Sequence, residues 1–173
     1  MATVPAPRTW VVGEVVTAAR LNADIRDALN FLLAPPLFIL GHSVAQPTPN
    51  NANYNLLFDT EMVDRDNGHS TVSNTSRYTS QTAGYYALST NVVWVTNGTG
   101  LRQAFFLVNG TTAAGWTSIQ AGASGSMGIS LSRRPYLAVG DFVEVQTFQT
   151  SGAALNTQTA NGGISFEGQW SSK

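Results

Sequence analysis

The residues best suited to chemistry in this 173-residue chain sit in one stretch, FDTEMVDRDNGH, which holds Asp59, Glu61, Asp64, Asp66 and His69. Hard cations such as calcium bind several carboxylate oxygens at once. Asp59, Glu61, Asp64 and Asp66 are therefore weak candidates for a cation site, although the glycine and the closing glutamate do not fall where an EF-hand loop needs them. The competing reading is a strand edge followed by a turn at Asp66-Asn67-Gly68. His42, the other histidine, stands apart from His69, with neither His-x-His nor His-Glu-x-x-His spacing, which argues against zinc. GASGSMG lacks the Gly-x-Ser-x-Gly elbow of a strand-to-helix nucleophile turn. The single lysine is Lys173, so no glycine-rich phosphate loop has its lysine. Nothing marks a catalytic carboxylate pair. The expectation is a protein that binds rather than catalyses, with no cofactor and no metal.

Tryptophans offer a second kind of chemistry. Trp94, Trp116 and Trp170 are candidates for a sugar-binding platform, with core or subunit-interface packing as the alternative for each. Trp116, in NGTTAAGWTSIQAG, has loop-like flanks and is the candidate surface-binding residue. Composition narrows the partners. Charged residues are only 11% and the net charge is −1, so the electrostatic footprint of a nucleic-acid binder is missing; Arg133-Arg134 is the one basic pair. The absence of cysteine rules out disulfides and thiolate metal sites. MATVPAPRTW carries no apolar core of a signal peptide. APPLFILG, broken by two prolines, falls short of the roughly 18 apolar residues of a membrane span, so membrane insertion is not expected.

The elements that must position these residues change character near residue 41. Thr17 can cap a helix over 17–33, which Pro35-Pro36 end. Leu21, Ile25, Ala28 and Leu32 step by four, three and four, an apolar stripe over about two heptads. Such a stripe packs either on copies of itself or on its own domain. Arg20, Asp24, Arg26 and Asp27 lie mostly off it and form a solvated face. A short arm bearing Trp10 and a short helix cannot fold alone, so Trp10, Leu21, Ile25, Ala28, Leu29 and Leu32 form a candidate anchoring and oligomerisation surface. Residues 1–41 make the anchoring segment, 42–53 (HSVAQPTPNNAN) a linker, and 54–173 a head. In the head, strands are expected at 54–60, 84–96, 102–109, 126–132, 142–150 and 163–170. Asn-Gly pairs mark tight turns after two of them. VVWV and AFFLV show no polar alternation, as in strands covered on both faces. Asn74, Asn97 and Asn109 begin Asn-x-Ser/Thr triplets and read as turn residues. Short strands with such turns imply an all-β sandwich or jelly roll.

Three pieces of the head carry a resemblance. YTSQTAGYYALST places Tyr78, Gly84, Tyr86 and Leu88 at the offsets of the signature of the complement-component-1q globular head and the wider tumour-necrosis-factor-like group, with Trp94 following on the same strand. YLAVGDFVEVQ is similar to that family's Leu-x-x-Gly-Asp-x-Val stretch, its turn at Gly140-Asp141. GGISFEGQW is similar to its closing strand, with Phe166 and Gly168 in the Phe-x-Gly element. Tyr78 and Leu88 stand where the family prefers phenylalanine, and Thr90 where it prefers an aromatic. The resemblance implies a two-sheet antiparallel jelly roll assembled as a homotrimer, behind an N-terminal arm and one short α-helix. Over residues 9–33, TWVVGEVVTAARLNADIRDALNFLL resembles the opening of actinobacteriophage virion proteins of the minor-tail and head-fibre kind. That resemblance implies a place on the surface of a phage particle. Its implied partners are other virion proteins, held through the N-terminal segment, and a host cell-surface glycan. The roles it implies are a minor tail protein or fibre head, alternatively a capsid decoration protein or head fibre, and remotely a virion glycan hydrolase.

Overall fold

The computed structural model describes residues 4–160 and 163–173. Thirteen strands are assigned: β1 (Leu37–Gly41), β2 (Pro47–Thr48), β3 (Tyr54–Asn55), β4 (Thr60–Asp64), β5 (Arg77–Thr79), β6 (Gly84–Trp94), β7 (Leu101–Val108), β8 (Thr112–Gln120), β9 (Met127–Arg133), β10 (Tyr136–Leu137), β11 (Phe142–Gln149), β12 (Leu155–Asn156) and β13 (Ser165–Ser172). All pairings are antiparallel. The first sheet runs β6-β13-β1-β4, with β9 and β10 both on the free edge of β6. The second runs β11-β7-β8, with β3 and β5 both on the other edge of β11. β2 and β12 form a small separate pair. This is the two-sheet jelly roll expected from the sequence.

Strand alternation builds the core. In β6 alternate residues from Gly84 to Trp94 are buried, which turns Tyr86, Leu88, Val92 and Trp94 inward. Opposite them, β7 and β11 contribute Ala104, Phe106, Val143 and Val145. Aromatic rings fill the middle. Phe38 stacks on Tyr78 at 3.8 Å, and Phe166 meets Phe38 edge-on at 4.9 Å and lies 5.4 Å from Phe58 and 5.9 Å from Phe106. Gly168 is the space this packing requires, since a Cβ there would lie 2.4 Å from the Phe38 ring and 2.7 Å from Leu88. Gly84 enters β6 at φ +152°, and a Cβ would lie 2.1 Å from Trp170 Nε1. At the other end of β6 the Trp94 indole N–H donates to Thr48 Oγ1 at 3.1 Å, so this tryptophan is core. Asp141 closes the turn before β11 by accepting from the Ala138 N–H at 2.8 Å and the Asn109 side chain at 2.9 Å, with Gly140 at φ +90°.

The structure moves several boundaries. The jelly roll begins at Leu37, inside the segment assigned to the anchor, and β1 lies between β13 and β4. LFILG is an apolar run of strand length, which periodicity alone does not separate from helix; Pro35 and Pro36 disfavour helical backbone at the residues before them, so the helix cannot run on into it. The linker supplies β2. The expected strand at 54–60 shrinks to Tyr54–Asn55, although Leu56 and Phe58 are still buried. VVWV alternates after all, with Val92 and Trp94 buried and Val93 and Val95 half-buried; AFFLV alternates from Ala104 to Phe106, after which a register shift leaves Leu107 buried as well. The helix runs over 18–33 but contains a π-helical turn, Asn22–Arg26, between α1 (Ala18–Leu21) and α2 (Asp27–Leu33). Thr17 caps it through Oγ1, which accepts from the Arg20 N–H at 3.3 Å, and the chain leaves helical geometry at Ala34.

Candidate functional site

The acidic stretch does not converge. Asp59 serves His42's neighbour: its two oxygens accept from the Ser43 N–H and hydroxyl, both at 2.7 Å. Partial desolvation pushes its carboxyl up, but the Ser43 bonds prevail and hold it below the usual carboxylate range. Glu61 is exposed on β4. Asp64 closes the following turn by accepting from the N–H groups of Gly68 at 3.2 Å and His69 at 2.9 Å. Asp66 accepts from the Tyr78 hydroxyl at 2.8 Å. Burial pushes Asp66 above the usual carboxylate range; the Tyr78 bond opposes this, and the Asp64 charge adds to it. Burial likewise drives the Tyr78 phenol upward. Among the described residues no three His, Cys, Asp or Glu side chains gather into a metal-holding group. Of the four carboxylates proposed as cation ligands, Asp59 is turned to Ser43, Glu61 stands exposed on β4, and Asp64 and Asp66 share one loop but serve different donors. His69 points both ring nitrogens at backbone carbonyls.

The tryptophans do not gather either. Trp94 is fully buried. Trp170 lies at the helix end of the sandwich, donating to the Ala83 carbonyl at 3.0 Å. Trp116 is exposed and lies nearly parallel to Phe105 at 6.2 Å. It stands on β8, not in a loop, because GWTSI pairs in register with the aromatic strand β7. Gln103 and Ser118, hydrogen-bonded to each other at 3.4 Å, are register partners on the same outer face.

The N-terminal segment has the opposite character to the head. Leu21, Ile25, Leu29 and Leu32 are 43%, 46%, 52% and 67% exposed. Ala28 is half-buried. Among the described residues of the helix, Phe31 alone is buried, set edge-on against Trp170 at 4.8 Å. Trp10, Val11, Val12, Val15 and Val16 are exposed on the arm. The arm is fastened to the helix by charge. Glu14 takes the guanidinium groups of both Arg8 and Arg20, and Arg8 also reaches Asp24 at 3.4 Å while lying 4.6 Å over the Trp10 ring. Desolvation pushes Glu14 up, but the Val11 N–H and the two arginines prevail and lower it. Arg20 and Asp24, expected on a solvated face, are therefore tethers. Arg8 and Glu14 escaped the sequence reading because the residues they join follow neither a helical nor a strand period.

Fold and surface together describe a two-sheet antiparallel jelly roll carrying an N-terminal helical extension with an exposed apolar stripe. Among solved structures, the globular domain of zebrafish complement 1qA matches with a TM-score of 0.56 at 14% identity, covering 78% of this chain and 96% of that one. Murine APRIL at pH 8.0 matches with a TM-score of 0.59 at 12% identity, covering 78% and 98%. At this identity the likeness establishes the fold. No protein-family model and no curated protein matches the chain.

Proposed function

We propose that this chain is a structural, non-catalytic component of a bacteriophage particle, a trimeric appendage whose N-terminal segment anchors it and whose jelly-roll head faces outward. The observation that carries the reading is the stripe Leu21, Ile25, Leu29 and Leu32, large and apolar, left in water by its own chain. Contiguous apolar surface of this kind marks an association site. Sister copies, or the particle surface, are the occupants that suit it. The fold supports self-association too: Val93 and Phe105 are half-buried on outer faces, and Tyr85 and Tyr136 form an exposed edge-to-face pair at 5.4 Å. The resemblance of residues 9–33 to phage virion openings supports the location.

The role that fits best is a minor tail protein or fibre head contacting a host-surface glycan, with Trp116, Gln103 and Ser118 as the uncharged, partly aromatic face presented to it. A capsid decoration protein or head fibre would use the same anchor. Antibody labelling of intact particles in the electron microscope tests the location: label on the tail supports the first role, label on the capsid the second, and particles without label sink the virion reading. For the host contact, Trp116→Ala particles should adsorb at least tenfold more weakly. Unchanged adsorption by that variant would remove the glycan face.

A further inference from the structure

The open side of the sandwich, between the β4 edge of the first sheet and the β5 edge of the second, is closed by residues 65–76. This segment is fastened at several points. Arg65 N–H donates to the Leu37 carbonyl at 3.0 Å, the Phe58 N–H to the Thr75 carbonyl at 2.9 Å, and the Thr79 N–H to the Gly68 carbonyl at 2.7 Å. Gly68 is pressed so closely on β5 that a Cβ would lie 2.3 Å from the Tyr78 ring. In the middle stands His69. Its Nδ1 lies 2.8 Å from the Arg77 carbonyl, on β5, and its Nε2 lies 3.1 Å from the Phe58 carbonyl, just ahead of β4. One imidazole thus bridges β5 of the second sheet and the segment that leads into β4 of the first.

A carbonyl oxygen only accepts. A neutral imidazole has one N–H and one lone pair, so it can satisfy one of these oxygens and must turn its lone pair toward the other. The doubly protonated ring donates to both. We infer that His69 is held as an imidazolium clasp across the seam of the two sheets, and that loss of its second proton opens one of the two bonds and loosens residues 65–76. The charged groups around it fit this assignment. Asp64 accepts from the backbone N–H of His69 at 2.9 Å, and Asp66, on the same loop, is engaged by the Tyr78 hydroxyl. On the β5 side, Arg77 directs its guanidinium away, over the Phe142 ring at 4.2 Å and onto Asn74 at 3.0 Å, and Glu144 is engaged by the Ser76 hydroxyl at 2.6 Å. The Tyr78 phenol faces Asp66 and stays neutral. The clasp is therefore complete while both ring nitrogens carry protons, and it loses one of its two bonds when either proton leaves.

The experiment is nitrogen-15 NMR of the histidine rings in the full chain, read from about pH 5 to about pH 8, together with hydrogen exchange at the Phe58 and Thr79 amides. The expected result is two protonated nitrogens on His69 at the acid end. On the loss of one, protection of those two amides should fall by about tenfold after correction for the intrinsic pH dependence of exchange. In His69→Gln, whose amide can donate to one carbonyl but does not titrate, that pH-linked change should vanish. A single neutral tautomer of His69 throughout the range would overturn the inference. So would a His69→Gln chain whose amides lose protection with pH as the parent's do.

Discussion

The head and the N-terminal segment use the same kinds of side chain to opposite ends. In the head, Phe38, Tyr78, Phe106 and Phe166 close on one another until none is exposed. In the N-terminal segment, Leu21, Ile25, Leu29 and Leu32 are left facing solvent, and the buried Phe31 is set against Trp170 of the head. The difference is one of available partners. A strand turns alternate residues to one side, and a second sheet lies there to cover them. A helix of four turns carries its stripe along its length, and here it meets the head only near its C-terminal end. The head satisfies its own apolar groups; the segment is built to have them satisfied by something else.

That contrast can be broken from the head first. Phe166→Ala removes the ring that touches Phe38, Phe58 and Phe106, and should cost about 3–5 kcal/mol in urea unfolding of the purified chain. A loss under about 1 kcal/mol would mean that the aromatic cluster is not the centre of the core. Gly168→Ala forces a methyl toward the Phe38 ring and should cost about 1–3 kcal/mol by the same measurement. On the N-terminal side the outcome should invert. Ile25→Ser combined with Leu29→Ser should change the unfolding free energy of the isolated subunit by no more than about 0.5 kcal/mol, yet lower the mass in solution. A large drop in subunit stability would show that the stripe packs on its own head. A small effect belongs to Asp66→Asn. Burial raises the Asp66 pKa, so the ionised form is disfavoured in the folded chain, and this penalty is present above the raised pKa and disappears as pH falls through it. The variant should be the more stable at neutral pH, by under about 1 kcal/mol, with the difference closing in acid; melting curves at the two pH values read it.

Much of the head was legible because its signals are local. Tyr86 and Leu88 alternate, Gly84 and Gly140 mark turns, and Phe166-x-Gly168 encodes a ring beside a gap. The first strand was not legible, since LFILG has too few residues for a period to show and follows a helix without any polar break. Trp116 was misplaced in a loop because its neighbours Ala113, Ala114 and Gly115 lack strand-forming bulk, and its strand exists through pairing with β7. The acidic stretch suggested convergence because its carboxylates are close in sequence. The fold instead gives Asp59 to Ser43, Asp64 to the turn at Gly68, and Asp66 to Tyr78, and that division depends on how the folded backbone sets each carboxylate against its partner. The stripe was visible as a pattern, but that it stays uncovered, and that Arg8 and Glu14 hold the arm to the helix, are properties of the folded chain alone.

If sister copies cover the N-terminal stripe, the chain must assemble through it. Sedimentation equilibrium of the intact chain at micromolar concentration tests this most directly. The expected result is a species of three times the 18.4 kDa chain mass, which the Ile25→Ser, Leu29→Ser chain fails to form. A parent chain that sediments as a monomer would contradict it.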